Sequence, residues 1–138
     1  MNKTQSKALD LIFPALSLIF LVGILTLFQP CGPREDGSWM SCHWAGRAVA
    51  GVAGAMLLLS VLRLFVGPEA KRGLDLALMV LSLLAALIPG RLIGLCMMHD
   101  MRCHMLTAPF TAVLSALTAL WALCDLIASV RKGKRHEA

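Results

Sequence analysis

The chain has 138 residues, a net charge of +5 and a mean hydropathy of +0.75; 58% of its residues are hydrophobic and only 15% are charged. A water-soluble domain of this length needs more polar surface, so the composition favours a small integral membrane protein. The positive charge gives little support to nucleic-acid binding, because no basic domain with an element suited to reading bases is present, and no nucleic-acid partner is expected.

Four apolar segments follow one another along the chain, separated by clusters of charge. A helix of about 20 residues crosses the hydrocarbon core of a bilayer. The sequence therefore predicts an all-α bundle of four transmembrane helices, forming a single integral membrane domain over residues 1–138. The predicted helices cover residues 10–29, 44–66, 74–95 and 106–130. The first is expected to stay in the protein, because "LFQPCGP" does not resemble a small-x-small cleavage site.

Lysine and arginine are unevenly distributed among the segments that flank these helices. Nine of them fall in the N-terminal arm, the connection between helices two and three, and the tail "RKGKRHEA". The other four lie in the first and third loops: Arg34, Arg47, Arg91 and Arg102. The positive-inside rule then predicts that both termini are cytoplasmic and that loops one and three are extracytoplasmic.

The two halves of the chain are similar, which predicts an internal repeat of residues 1–66 and 67–138. "LSLIFLVGILTLFQPC" ends at Cys31, and its counterpart "LSLLAALIPGRLIGLC" ends at Cys96, so the offset in residue number is 65. Each half then has a loop, a Met-x-Cys-His motif and another apolar helix, and the motifs correspond at an offset of 61. Two helical hairpins in tandem make a parallel repeat, whose axis lies along the membrane normal.

Four of the five cysteines belong to the two extracytoplasmic loops: Cys31, Cys42, Cys96 and Cys103. Disulfides persist outside the cytoplasm. The repeat favours one bridge in each hairpin, Cys31 with Cys42 and Cys96 with Cys103, although four cysteines allow three pairings. Cys124, in the fourth helix, has no partner in this scheme.

Side chains that bind soft metals crowd the same loops, which makes copper binding an alternative function. Thioether and thiolate sulfur favour Cu(I), and imidazole also suits copper. The competing explanation is that methionine is an ordinary apolar residue beside a membrane, and no paired Cys-x2-Cys zinc spacing is present. The candidate ligands are Met40, His43, Met97, Met98, His99, Met101 and His104.

The sequence does not predict an enzyme. The cysteine spacings differ from the Cys-x-x-Cys of reactive thiols, so a membrane thiol–disulfide oxidoreductase is a weaker alternative. No nucleophile triad, carboxylate pair or phosphate-binding loop appears, and no cofactor other than copper is implied. Asp125 lies inside the fourth apolar run, where an acid is rare; we expect it to reach water or to pair with Arg63.

The segments "CGPREDGSWMSCHW" and "LIGLCMMHDMRCHMLTAPF" resemble an uncharacterised family of small bacterial four-helix membrane proteins with two cysteine-bearing outer loops. Its members look like accessory subunits found beside ABC transporters. The resemblance implies a place in the bacterial inner membrane and a non-enzymatic role as an accessory or interaction subunit of a transport or envelope complex. The implied partners are the lipid bilayer and a membrane protein such as an ABC transporter permease. The family supplies no catalytic residues.

Overall fold

The computed structural model describes residues 8, 10–27, 32–94 and 103–137. Within those ranges the chain has four α-helices and no β-strand, so the all-α fold class is confirmed. Short π-helical segments extend the first helix, over Gly23–Leu27, and precede the fourth, over Cys103–Thr107. In chain order the helices are α1 (Ile12–Val22), α2 (Ser41–Leu62), α3 (Pro68–Leu87) and α4 (Ala108–Glu137).

The third helix ends earlier than predicted, at Leu87 rather than near residue 95. Pro89 has no N–H to donate to the preceding turn. Gly90 has φ +94, a left-handed conformation that suits glycine, and its N–H donates to the carbonyl of Ile93. The chain therefore turns sharply here, and Arg91 lies in the turn rather than in the helix.

The other helix bounds differ from the prediction in the polar flanks. α3 begins at Pro68, because a proline in the first helical turn lacks only an N–H that would have no partner there. α4 continues through the basic tail to Glu137 instead of ending near residue 130. This extension packs on the start of α3, where Arg72 donates to the carbonyl of Ser129 at 3.2 Å and its guanidinium lies against Gly133.

The helices alternate in direction, and each packs most extensively on its hairpin partner, α1 on α2 and α3 on α4. All four meet at Arg63, which contacts Asp10 ahead of α1, Asp75 in α3 and Asp125 in α4. We call this end of the bundle the cluster end. The opposite end, which carries residues 32–40 and the turn after α3, is the loop end.

The side chains are distributed as in a protein that packs in lipid. Two helices are long and apolar enough to cross a membrane, Ser41–Leu62 and His104–Arg135, and only 33% and 17% of their apolar windows are buried. A core helix of a soluble protein would hide that surface. Lipid tails are as apolar as leucine, so helices in a bilayer meet through small and hydroxyl side chains. The buried positions include many such residues beside larger apolar ones such as Phe13, Phe20, Met56 and Leu78. The small and hydroxyl ones are Ser17, Ala45, Ala53, Ser60, Ser82, Ala85, Thr111, Ser115, Thr118 and Ala122.

Candidate functional site: a buried arginine–aspartate cluster

The largest fully buried side chain among the described residues is that of Arg63, which is only 2% exposed. It caps the C-terminal end of α2, where the chain turns toward α3. A guanidinium stays charged at any physiological pH. Taking it out of water is therefore costly, and the cost is offset only where anionic partners surround it and accept its hydrogen bonds.

Each of three aspartates, one from each other helical segment, accepts a hydrogen bond from this guanidinium. Nε donates to Asp75 Oδ1 at 2.6 Å, Nη1 donates to Asp10 Oδ1 at 2.7 Å, and Nη2 donates to Asp125 Oδ2. Asp125 was expected to reach water or to pair with Arg63; it pairs with Arg63, and its side chain is also 40% exposed. One side chain from α2 joins all the other helices at a single level of the bundle.

Two further residues complete the site. Lys71 Nζ donates to Asp10 Oδ2 at 2.8 Å, so that carboxylate bridges two cations. The ring of Phe13 covers the guanidinium, with its centroid 4.7 Å from Cζ, a distance at which the π face attracts a cation. We call the five charged residues the Arg63 cluster: Asp10, Arg63, Lys71, Asp75 and Asp125.

The three aspartates of the cluster differ in their exposure to solvent. The side chain of Asp75 is 1% exposed, that of Asp10 is 20% exposed and that of Asp125 is 40% exposed. Charge–charge attraction is strongest where water is absent. Removing one partner of the Arg63–Asp75 pair should therefore cost most, because it leaves a buried charge without water, and removing Asp125 should cost least.

The sequence pointed to one of the three aspartates. Asp125 was conspicuous inside an apolar run, whereas Asp10 and Asp75 stand at the polar edges of theirs, where a charge is ordinary. A signal was nevertheless present. Asp10 and Asp75 are related by the same offset in residue number as Cys31 and Cys96.

Hydroxyl side chains continue the polar interior away from the cluster. Thr111 Oγ1 donates to the carbonyl of Thr107, and Thr118 Oγ1 to that of Leu114, the usual way for a helix to satisfy a buried hydroxyl. The hydroxyls of Ser17 and Ser115 are also buried but have no partner among the described residues. Polar atoms therefore run through a bundle whose outer surface is apolar.

At the loop end, His43 lies between two tryptophans. Its ring stacks on Trp39 with centroids 4.0 Å apart and meets Trp44 edge to face at 5.8 Å. Both indoles are about half exposed, whereas Cys42 beside them is buried. The first Met-x-Cys-His motif thus starts α2, with Met40 at the N-cap and His43 in the first turn.

Most of the predicted disulfide and metal residues lie outside the described part of the chain. Of the candidate copper ligands, the structure places Met40, His43 and His104, the last in the π-helical start of α4. No group of three His, Cys, Asp or Glu side chains suited to a metal occurs in the described ranges. The disulfide and copper predictions stay predictions. The residues that lie outside the described ranges are Cys31, Cys96, Met97, Met98, His99 and Met101, together with the side chain of Cys103.

Comparison with known proteins gives a family but no characterised relative. No curated protein and no solved structure matches the chain. One family model, described as Domain of unknown function (DUF4418), matches residues 13–128. That stretch includes both Met-x-Cys-His motifs and four members of the Arg63 cluster, all except Asp10. The match covers most of the chain, which confirms the resemblance to an uncharacterised family: the protein belongs to the domain of unknown function family DUF4418.

Proposed function

We propose that this protein is a bacterial inner-membrane protein with four membrane spans, no catalytic role, and the function of an accessory or interaction subunit in a transport or envelope complex. The observation that carries the proposal is the apolar outer surface of the bundle. Leucines cover its outside, while charged and hydroxyl side chains share its interior with large apolar ones such as Phe13, Met56 and Leu78. Such an arrangement is stable when the surrounding solvent is hydrocarbon.

α1 is shorter and α3 is less apolar than the other two helices, but both are also suited to cross the membrane. α1 with its π-helical extension and α3 both expose a stripe of large apolar side chains on the face away from the bundle. An exposed stripe of this kind is a poor surface for water and a good one for lipid. The members of the two stripes are Leu11, Leu18, Ile19, Val22, Leu76, Val80, Leu83 and Leu87.

The orientation follows from where the bundle places its cations. The cluster end carries Lys71 and Arg72 from α3 and four basic residues from the end of α4, whereas the described loop end carries Arg34, Arg47 and Arg91. Under the positive-inside rule, the cluster end faces the cytoplasm.

A topology experiment tests both spans and orientation. An alkaline phosphatase fused after Ala138 should be inactive, and one inserted at Gly37, in an exposed turn at the loop end, should be active. A green fluorescent protein at the same two sites should give the opposite pattern and serves as the control. Fluorescence from an insertion at Gly37 would contradict the orientation, and a fully soluble protein would contradict the membrane placement.

The loop end supports the interaction role. Residues 32–39 are all exposed, and they lead into the exposed indoles of Trp39 and Trp44. Exposed tryptophan is enriched where proteins bind one another, because its large rigid ring contributes much contact area. The resemblance to accessory subunits makes a transporter permease the proposed partner.

Photo-crosslinking in intact cells tests that role. A photoreactive amino acid at position 39 should crosslink to a membrane permease, whereas the same probe at Phe65 should not, because that exposed side chain lies at the other end of the bundle. Equal crosslinking from both positions, or crosslinks from position 39 to lipid or to a second copy alone, would contradict the role.

The cysteine pairs have their own test. Non-reducing peptide mapping should find Cys31 joined to Cys42 and Cys96 joined to Cys103, while Cys124, which is a free and exposed thiol, should alkylate without reduction. Closing such short loops stabilises a protein by about 2–3 kcal/mol in the chain-entropy account. Four alkylated loop cysteines in protein from an oxidising compartment would contradict the pairing and favour the copper alternative.

A further inference from the structure

The packing of α1 and α3 shares one register. Every position from Leu11 to Gly23 is as buried, half-buried or exposed as its counterpart in the stretch from Leu76 to Ile88, at the offset of 65 that the sequence repeat shows. A shift by one helical turn in either direction breaks this correspondence. The match therefore exceeds the common periodicity of two helices, which recurs about every 3.6 residues.

The inner faces of α2 and α4 match as well, but at an offset of 62. Each buried position in the described part of α4 and its π-helical start has a buried counterpart in α2. The two Met-x-Cys-His motifs correspond at an offset of 61. A π-helical turn closes over one residue more than an α-helical turn, and Cys103–Thr107 is such a turn. The pairs are Ala45 and Thr107, Val49 and Thr111, Ala53 and Ser115, Met56 and Thr118, and Ser60 and Ala122.

These two registers meet in the Arg63 cluster. At the offset of 65, Asp10 corresponds to Asp75, and both accept hydrogen bonds from Arg63. At the offset of 62, Arg63 itself corresponds to Asp125. If the two hairpins were exchanged, Asp10 and Asp75 would take each other's places as acceptors. Arg63 would take the place of Asp125, the third carboxylate, and Asp125 that of Arg63.

We propose that a two-fold axis through the Arg63 cluster relates the two hairpins. The hairpin of α1 and α2 carries an arginine at one repeated position, and it fits a partner, the hairpin of α3 and α4, that carries a carboxylate at the same position. Position 63 and position 125 are then two copies of one site. An arginine at either copy, with an aspartate at the other, finds Asp10 on one side and Asp75 on the other. The pairing of hairpins is specified by this difference of sign at one repeated position.

A charge exchange in the full-length protein tests the proposal. The single variants Arg63→Asp and Asp125→Arg should each lower the melting temperature and the yield of monodisperse protein in detergent, since each leaves the cluster unbalanced. The double variant R63D/D125R should recover most of both losses. An arginine at position 125 would reach the same two aspartates from the opposite side.

A second exchange provides the matched control, because it has the same composition. In R63D/D10R the arginine moves to a position that the two-fold axis does not relate to residue 63, and it comes beside Lys71, whose Nζ lies 2.8 Å from the carboxylate of Asp10. This variant should stay as impaired as Arg63→Asp alone. Recovery in R63D/D125R only is the expected result.

Two other outcomes overturn the inference. Equal recovery by both exchanges would mean that the cluster accepts any balanced set of charges. Failure of R63D/D125R to fold, while the conservative double variant R63K/D125E folds, would mean that positions 63 and 125 are not equivalent although both tolerate substitution. The membrane orientation and the role as an accessory subunit are untouched by either outcome, because the readout is stability alone.

Discussion

Replacing Arg63 with methionine is expected to destabilise the bundle more than neutralising any one of its three aspartate partners. Methionine keeps an apolar stem but is shorter and lacks the guanidinium, so three aspartates, among them the 1% exposed Asp75, face one another without a shared cation. Removing one partner of a buried ion pair costs about 3–5 kcal/mol. Thermal unfolding in detergent, followed by circular dichroism, measures the loss.

Two control variants help to interpret the loss of stability in Arg63→Met. Arg47→Met removes an exposed arginine near the loop end and should leave the melting temperature almost unchanged. Arg63→Lys keeps the charge but loses the planar fork that reaches three carboxylates, so its stability should fall between those of wild type and Arg63→Met. If Arg63→Met were as stable as Arg47→Met, the cluster would have no part in holding the helices together.

Neutralising the three aspartates one at a time is expected to give losses that follow their burial. Asp75→Asn should be the most damaging, at about 3 kcal/mol, because it removes a partner of a desolvated guanidinium. Asp125→Asn should cost less than about 1 kcal/mol, since water already screens a pair in which the acid is 40% exposed. Asp10→Asn should fall between them, with the added loss of its contact to Lys71.

The same unfolding assay measures the series, and each asparagine is nearly isosteric with its aspartate, so packing is held constant. Equal losses at all three positions would show that burial does not set the strength of these pairs. The reverse order would show that the exposed Asp125 carries an interaction beyond its bond to Arg63.

The sequence predicted the helical class because hydrophobic runs of this length have few other solutions in a chain so poor in polar residues. It offered contact with Arg63 as one of two expectations for Asp125, the other being contact with water, because Asp125 lies near the end of its apolar run. Asp10 and Asp75 were not predicted to lie in a site, because a charge at the edge of an apolar run has an ordinary explanation; their shared offset of 65 was the signal, and the packing register shows that both face inward.

The helix ends were predicted less well, for local reasons. α3 ends before Pro89, and the chain then turns through Gly90, whose left-handed backbone conformation is not reported by hydropathy. The small difference between the motif offset and the packing offset arises in the same way. It depends on a π-helical turn at Cys103–Thr107, and apolar patterning does not distinguish such a turn from an α-helical one.

The extension of α4 beyond the cluster gives the protein a rigid helical site for attaching a fused domain. The chain is helical at every position from Asp125 to Glu137; at about 1.5 Å of rise per residue, the helix reaches about 18 Å past the level of Arg63. Arg72 of α3 donates a hydrogen bond to the carbonyl of Ser129 and packs against Gly133, so α3 holds the first two turns of this extension in place. A soluble domain joined to Glu137 through uninterrupted helix would turn with the bundle as one body, which suits imaging of a particle otherwise too small to align.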